Sequence, residues 1–301
     1  MIFLLLAVIS SASIALVLKL FRSPEGNRYG IIIGNYLTCV LLSLIFISHK
    51  RAIFSAAPAT LICGIAGGVL FVAGLVFLQS SIRVNGAALT SAFSKLGVLV
   101  PLVLSFAVFG ERPTALEIAG IAVALGALIL INSPGQDSEA SHSDKAIEVH
   151  SSAVSAKKAV TYSFPLLILT FFANGSADSM AKVFESTGDA GEDTIYIFYV
   201  FAVACFISLV LAIIEYRRAS HPIKAKELLA GACLGVPNYF SSYFLLNSLE
   251  RLPSFLVYPV FSTGTILMVT LVSTVFFKER PSARQYLAIG LIVLALVLLN
   301  I

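Results

Sequence analysis

Charge is scarce in this chain. Asp, Glu, Lys and Arg make up 12% of its 301 residues, whereas 58% are hydrophobic and the mean hydropathy is +0.95. Soluble domains carry roughly 25% charged residues, so the composition excludes a soluble globular domain and marks an integral membrane protein. Histidine is scarce too, and His49, His142, His150 and His221 all fall between apolar runs. A His-Glu-x-x-His zinc pair, a Walker phosphate loop and a Gly-x-Ser-x-Gly elbow are all missing. These absences argue against a hydrolase or an ATP-driven pump, and no cofactor or metal is expected. The four cysteines, Cys39, Cys63, Cys205 and Cys233, lie inside apolar runs, where a thiol behaves as a small hydrophobe, so no disulfide is expected. The net charge of +4 comes without a clustered basic stripe, which speaks against a nucleic-acid partner.

What is present is a series of long apolar runs bounded by charge or turn residues. Backbone polar groups cannot go unpaired in lipid, and these runs are not ten-residue alternating strands, so the spans are expected to be helices. The runs predict an all-α integral membrane protein of ten transmembrane helices. Five lie near 2–21, 29–48, 58–80, 86–109 and 115–132, and five near 161–184, 193–215, 227–249, 254–277 and 283–300. The first run lacks a basic leader and an evident small-residue cleavage site, so it is expected to be a retained span. Between the sets, Ser133 to Val160 is rich in Ser, Asp, Glu and His and reads as a flexible linker, too polar to bury a core.

The two sets are copies. Glu111-Arg112-Pro113-Thr114-Ala115 recurs as Glu279-Arg280-Pro281-Ser282-Ala283, and the same offset of 168 pairs Gly67 with Gly235, Arg83 with Arg251 and Ser94 with Ser262. Such self-similarity has to be read before any other feature. Thr114 with Glu117 and Ser282 with Gln285 fit the Ser/Thr-x-x-Glu/Gln capping box, so each copy predicts a helix start there. An odd number of spans per copy sends the second copy into the membrane from the opposite side. The expectation is therefore two inverted five-helix repeats, 1–132 and 161–301, joined by 133–160, the arrangement used in alternating access. Fourteen of the twenty Lys and Arg fall on the linker side of this topology and five on the other, with Lys95 inside a span. The positive-inside rule then puts the linker in the cytoplasm and the termini outside.

Ten spans in two five-helix halves, each closing with a Glu-Arg-Pro-Thr/Ser turn and a final apolar helix, resemble the EamA branch of the drug/metabolite transporter superfamily. The resemblance covers nearly the whole chain apart from the linker. It implies a secondary active transporter of a small metabolite, by uptake or efflux, in a plasma or inner cell membrane, with both termini cytoplasmic. The orientation thus has two readings. The implied partners are the bilayer, a small-molecule substrate and protons or another coupling ion.

Ionisable groups inside a span are costly and mark pathways, at about 2.5 to 3.5 kcal/mol on insertion scales. Two stand out. Lys95 lies in the fourth span and Asp178 in the sixth, with Thr263 and Ala15 as their repeat counterparts, so the shared scaffold requires neither charge. They are expected to form a substrate or coupling site or, alternatively, an ion pair that fixes packing; Asp178 could also pair with Lys182 along its own helix. A polar stripe on the eighth and ninth spans, Asn238, Tyr239, Ser242, Tyr258 and Ser262, could shape a pocket or hydrogen-bond helices together. Glu111, Arg112 and Pro113, with Glu279, Arg280 and Pro281, are expected to be structural, the acids sitting at helix starts. The competing function is a non-transporting membrane scaffold or lipid-handling protein, which needs neither a buried charge nor an aqueous pocket.

Overall fold

The computed structural model describes residues 1–20, 28–132, 163–189, 191–219, 223–276 and 283–299. Among them the chain is helical and has no strand. Helices α1 (Ile2–Leu20), α2 (Arg28–Phe46), α3 (Pro58–Asn85), α4 (Ala87–Leu96), α5 (Leu99–Ala107) and α6 (Ala115–Asn132) make the first series. The second comprises α7 (Phe164–Thr187), α8 (Asp193–Ala219), α9 (Ala225–Leu249), α10 (Ser254–Phe276) and α11 (Ala283–Leu298). Four helical stretches are long and apolar enough to cross a membrane: Tyr29–Phe46, Pro58–Asn85, Asp193–Arg217 and Ser254–Val275. Shorter apolar stretches include Ile2–Ile14, Ala115–Leu130 and Gln285–Leu298. The protein is a multi-pass membrane protein. The linker and Glu279, Arg280, Pro281 and Ser282 lie outside the described residues.

Two departures from the expected helices are accompanied by specific hydrogen bonds. The run expected as one helix over 86–109 is two, α4 and α5, broken at Gly97 and Val98. Pro101 has no N–H to give to the Gly97 carbonyl, which instead accepts Val100 N at 2.9 Å. Just before it, Gly97 N donates to Ser94 O at 3.1 Å and Val98 N to Lys95 O at 3.3 Å. These are the i to i+3 bonds of a tight turn rather than the i to i+4 ladder. The third helix runs on to Asn85, past the expected end at Ser80. Its last side chains are satisfied, since Asn85 donates to Ser81 Oγ at 3.0 Å and accepts Ser163 N at 2.7 Å, while Ser81 and Thr90 share a hydroxyl bond of 2.9 Å.

The helices gather into two compact units. The first holds Met1–Val72 and Ser179–Arg251, and the second Ala73–Asp178 and Leu252–Ile301. Each draws on both copies of the sequence repeat.

In the first unit α9 lies against α1 and α2, and α2 also packs on α8. Its core is aromatic: Phe184 stacks on Tyr196 with centroids 4.2 Å apart, and Tyr36, Phe71 and Phe201 interlock at 6.1 to 6.4 Å. Two glycines that pair at the 168-residue offset both make close helix contacts here. Gly67 of α3 rests on α8, where a Cβ would come within 3.1 Å of Val200 Cγ2; its counterpart Gly235 of α9 rests on α2, where a Cβ would meet the Asn35 carbonyl at 2.6 Å. Lipid gives no hydrophobic drive between helices, so close approach through small residues is what holds them.

In the second unit α6 pairs with α11, and α10 packs on α5, α6 and α11. The capping box predicted at the start of α6 is present: Glu117 accepts Thr114 N at 2.6 Å, and Thr114 Oγ1 accepts Glu117 N at 3.3 Å. The reciprocal pair satisfies two donors that the first helical turn leaves orphaned.

Candidate functional site

Within the second unit, the break between α4 and α5 seats itself on α7. A Cβ on Gly97 would lie 3.1 Å from both Gly175 N and Phe171 O, and one on Gly175 would collide with the Gly97 carbonyl. Only two glycines allow backbones to meet this closely. Lys95 stands just before this crossing in sequence and Asp178 just after it, one on each helix.

Lys95 occupies the last turn of α4, where the negative end of the helix dipole favours a cation. Both Lys95 and Asp178 are exposed. The ammonium acts electrostatically on the carboxylate. No ion pair joins the two among the described residues. Lys182, the alternative partner for Asp178 along α7, has its Nζ 2.6 Å from Glu185 instead.

Tyr258 also reaches α7 beside Asp178. Its ring is buried at 2% exposure in α10, and its hydroxyl donates to the Asp178 main-chain carbonyl at 2.8 Å. Ser262 follows one turn later on α10, half-buried. Lys95, Asp178, Tyr258 and Ser262 therefore all belong to the second unit.

Asn238, Tyr239 and Ser242 belong to the first unit. Asn238 Nδ2 donates to Asn35 Oδ1 at 3.1 Å, and the Cys39 thiol beside them donates to the Gly235 carbonyl at 3.3 Å. Here Asn serves as the cross-helix bond that lipid-embedded pairs favour. Tyr239, 1% exposed, stacks on Phe46 with centroids 5.7 Å apart, and its hydroxyl has no hydrogen-bond partner among the described residues. Ser242 is half-buried.

Glu111 does sit at a helix start, but that of α10 rather than α6. Its carboxylate accepts Ser254 N at 3.1 Å, Ser254 Oγ at 3.0 Å, Phe255 N at 3.3 Å and the Ser105 hydroxyl. Arg112 is exposed and Pro113 half-buried. The sequence reading missed the Gly97 break, Gly175 as its seat, Asn35 and Cys39. One signal was available for the first: a glycine four residues before a proline supplies the carbonyl that the proline leaves without a donor.

Comparison with known proteins agrees with this architecture. A protein of Haemophilus influenzae described only as uncharacterized is 24% identical over 295 residues, covering 95% of this chain and 93% of its own length. A solved crystal structure superposes with a TM-score of 0.72 over 99% of this chain and 96% of that one, at 14% identity, which is a likeness of fold. Residues 157–301, a little under half of the chain, match the sequence model of the EamA-like transporter family.

Proposed function

We propose that this protein is a secondary active transporter of a small metabolite in the cell membrane. Two inverted five-helix repeats, 1–132 and 161–301 joined by 133–160, exchange access to a site containing Lys95 and Asp178. The observation that carries this reading is the meeting of a broken helix with α7 at Gly97 and Gly175, with an ammonium and a carboxylate exposed beside it that form no ion pair with each other among the described residues. Discontinuous helices and intramembrane charge are the means by which transporters of inverted-repeat design hold substrate and coupling ions. A scaffold or lipid-handling protein has no use for two exposed, separate charges at such a break. The doubled glycine contact at Gly67 and Gly235 supports the repeat.

Lys95 and Asp178 act as the substrate or coupling groups, while Tyr258 and Ser262 shape the same site from α10. Transport draws on an ion or substrate gradient, because the chain has no phosphate-binding loop. Vesicles reconstituted with the purified protein and loaded with a mixed pool of small metabolites test this directly. Mass spectrometry of the external medium should show selective release of one class under an ion or substrate gradient, without ATP. Retention of every metabolite under proton, sodium and exchange conditions, or a strict need for ATP, would sink the reading.

A further inference from the structure

Glu111 stands in the turn between α5 and α6, yet most of its bonds leave that turn. Its carboxylate takes the two backbone N–H groups that open α10, at 3.1 and 3.3 Å, together with the Ser254 hydroxyl at 3.0 Å and the Ser105 hydroxyl of α5. Ser105 and Ser254 are fully buried. A carboxylate at a helix N-terminus satisfies orphan donors and meets the positive end of the dipole. Here it does so for a helix that begins 143 residues away in sequence. The Phe106 and Phe255 rings, 6.3 Å apart, reinforce the same junction.

The junction leads to the site along both helices. On α10, Tyr258 lies one turn beyond Ser254 and holds the Asp178 carbonyl at 2.8 Å. On the other side, α5 is the half-helix beyond the Gly97 break, and Lys95 lies in the last turn of the half before it. The hydroxyl contact belongs to one copy alone, since the repeat counterpart of Ser254 is Gly86. We propose that Glu111 is a positioning residue for the Lys95 and Asp178 site, setting the placement of α10 and, through Tyr258, of the α7 segment that carries Asp178. The proposal rests on the transport reading above for its functional meaning, but its geometry can be tested without any substrate.

The experiment uses the full chain in membranes with Cys205 and Cys233 changed to alanine, the buried Cys39 and Cys63 kept, and Asp178→Cys as reporter. Tyr258 binds the main-chain carbonyl at position 178, so the reporter leaves that bond in place. The probe is a water-soluble, positively charged methanethiosulfonate reagent, and the readout is the rate of reaction of the reporter thiol. Tyr258→Phe should accelerate labelling at least about fivefold, Glu111→Gln should do the same, and the double variant should go no further. Ser254→Ala keeps the backbone bonds and should give a smaller acceleration of about twofold, so the test survives if Glu111→Gln fails to fold. Thr114→Ala removes the neighbouring cap of α6 and should lower thermal stability while leaving the rate as it was. Three outcomes overturn the proposal: no acceleration in Tyr258→Phe, wild-type labelling in Glu111→Gln or, where that variant does not fold, in Ser254→Ala, or effects of Glu111→Gln and Tyr258→Phe that multiply. Coupled labelling in a protein that moves no metabolite would defeat the transport reading and leave this one standing.

Discussion

Tyr258 donates its phenolic hydrogen to the main-chain carbonyl of Asp178 at 2.8 Å. It therefore fixes the backbone of the charged residue and leaves the carboxylate free for other work. Tyr258→Phe should cost about 1 kcal/mol of stability, the net worth of one hydrogen bond, and should slow transport with the Asp178 side chain unchanged. Paired measurements of thermal midpoint and uptake check this; full transport in Tyr258→Phe would count against a role for the bond.

Lys95 and Asp178 flank the Gly97–Gly175 contact without forming an ion pair among the described residues, and the difference has energetic consequences. Breaking a locked buried pair costs about 3 to 5 kcal/mol, because one charge is stranded. Exposed, separated charges contribute about 1 kcal/mol or less. Lys95→Met and Asp178→Asn should each fold with near-normal stability and transport nothing. The double variant should also fold and remain inactive. Expression, thermal stability and uptake for the two singles and the double decide between the cases, and restored transport in the double would show a structural pair.

Gly175 meets the Gly97 carbonyl so closely that any side chain must displace one helix. Gly175→Val should destabilise by at least about 1 to 3 kcal/mol, the range for overpacking, and abolish transport. Gly126 of α6 has open space around it, so Gly126→Ala should stabilise by about 0.5 to 1 kcal/mol through helix propensity alone. Denaturation of both variants in the same detergent supplies the comparison.

The Tyr239 hydroxyl is buried with no hydrogen-bond partner among the described residues. Burying a polar group unsatisfied costs about 1 to 3 kcal/mol. Tyr239→Phe keeps the ring stacked on Phe46 and removes the liability, so its thermal midpoint should rise. A fall would mean that the hydroxyl has a partner in the membrane-embedded protein.

The placement of helices along the chain was largely legible in the sequence, because lipid leaves a spanning segment little choice but to satisfy its own backbone. The apolar runs at 115–132 and 254–277 became α6 and α10 within a residue of their expected ends, and the Thr114 and Glu117 box formed as its spacing requires. Local rules suffice for such features, whose partners lie within four residues. Lys95 and Asp178 were recognisable for a related reason: a charge in an apolar run is conspicuous wherever the helix ends up.

Partners across the chain were beyond such rules. The sequence placed Glu111 at a helix start, but tertiary packing decided that the helix would be α10, and it turned Tyr258 toward a carbonyl rather than a carboxylate. It also brought Gly97 against Gly175, making a proline-induced break the seat of the two charges, and it engaged Asn238 with Asn35. Composition, spacing and the repeat determined an all-helical membrane protein whose apolar pattern is written twice. Which helix faces which followed from where two backbones can approach, and that depends on surfaces formed only once residues far apart in sequence have met.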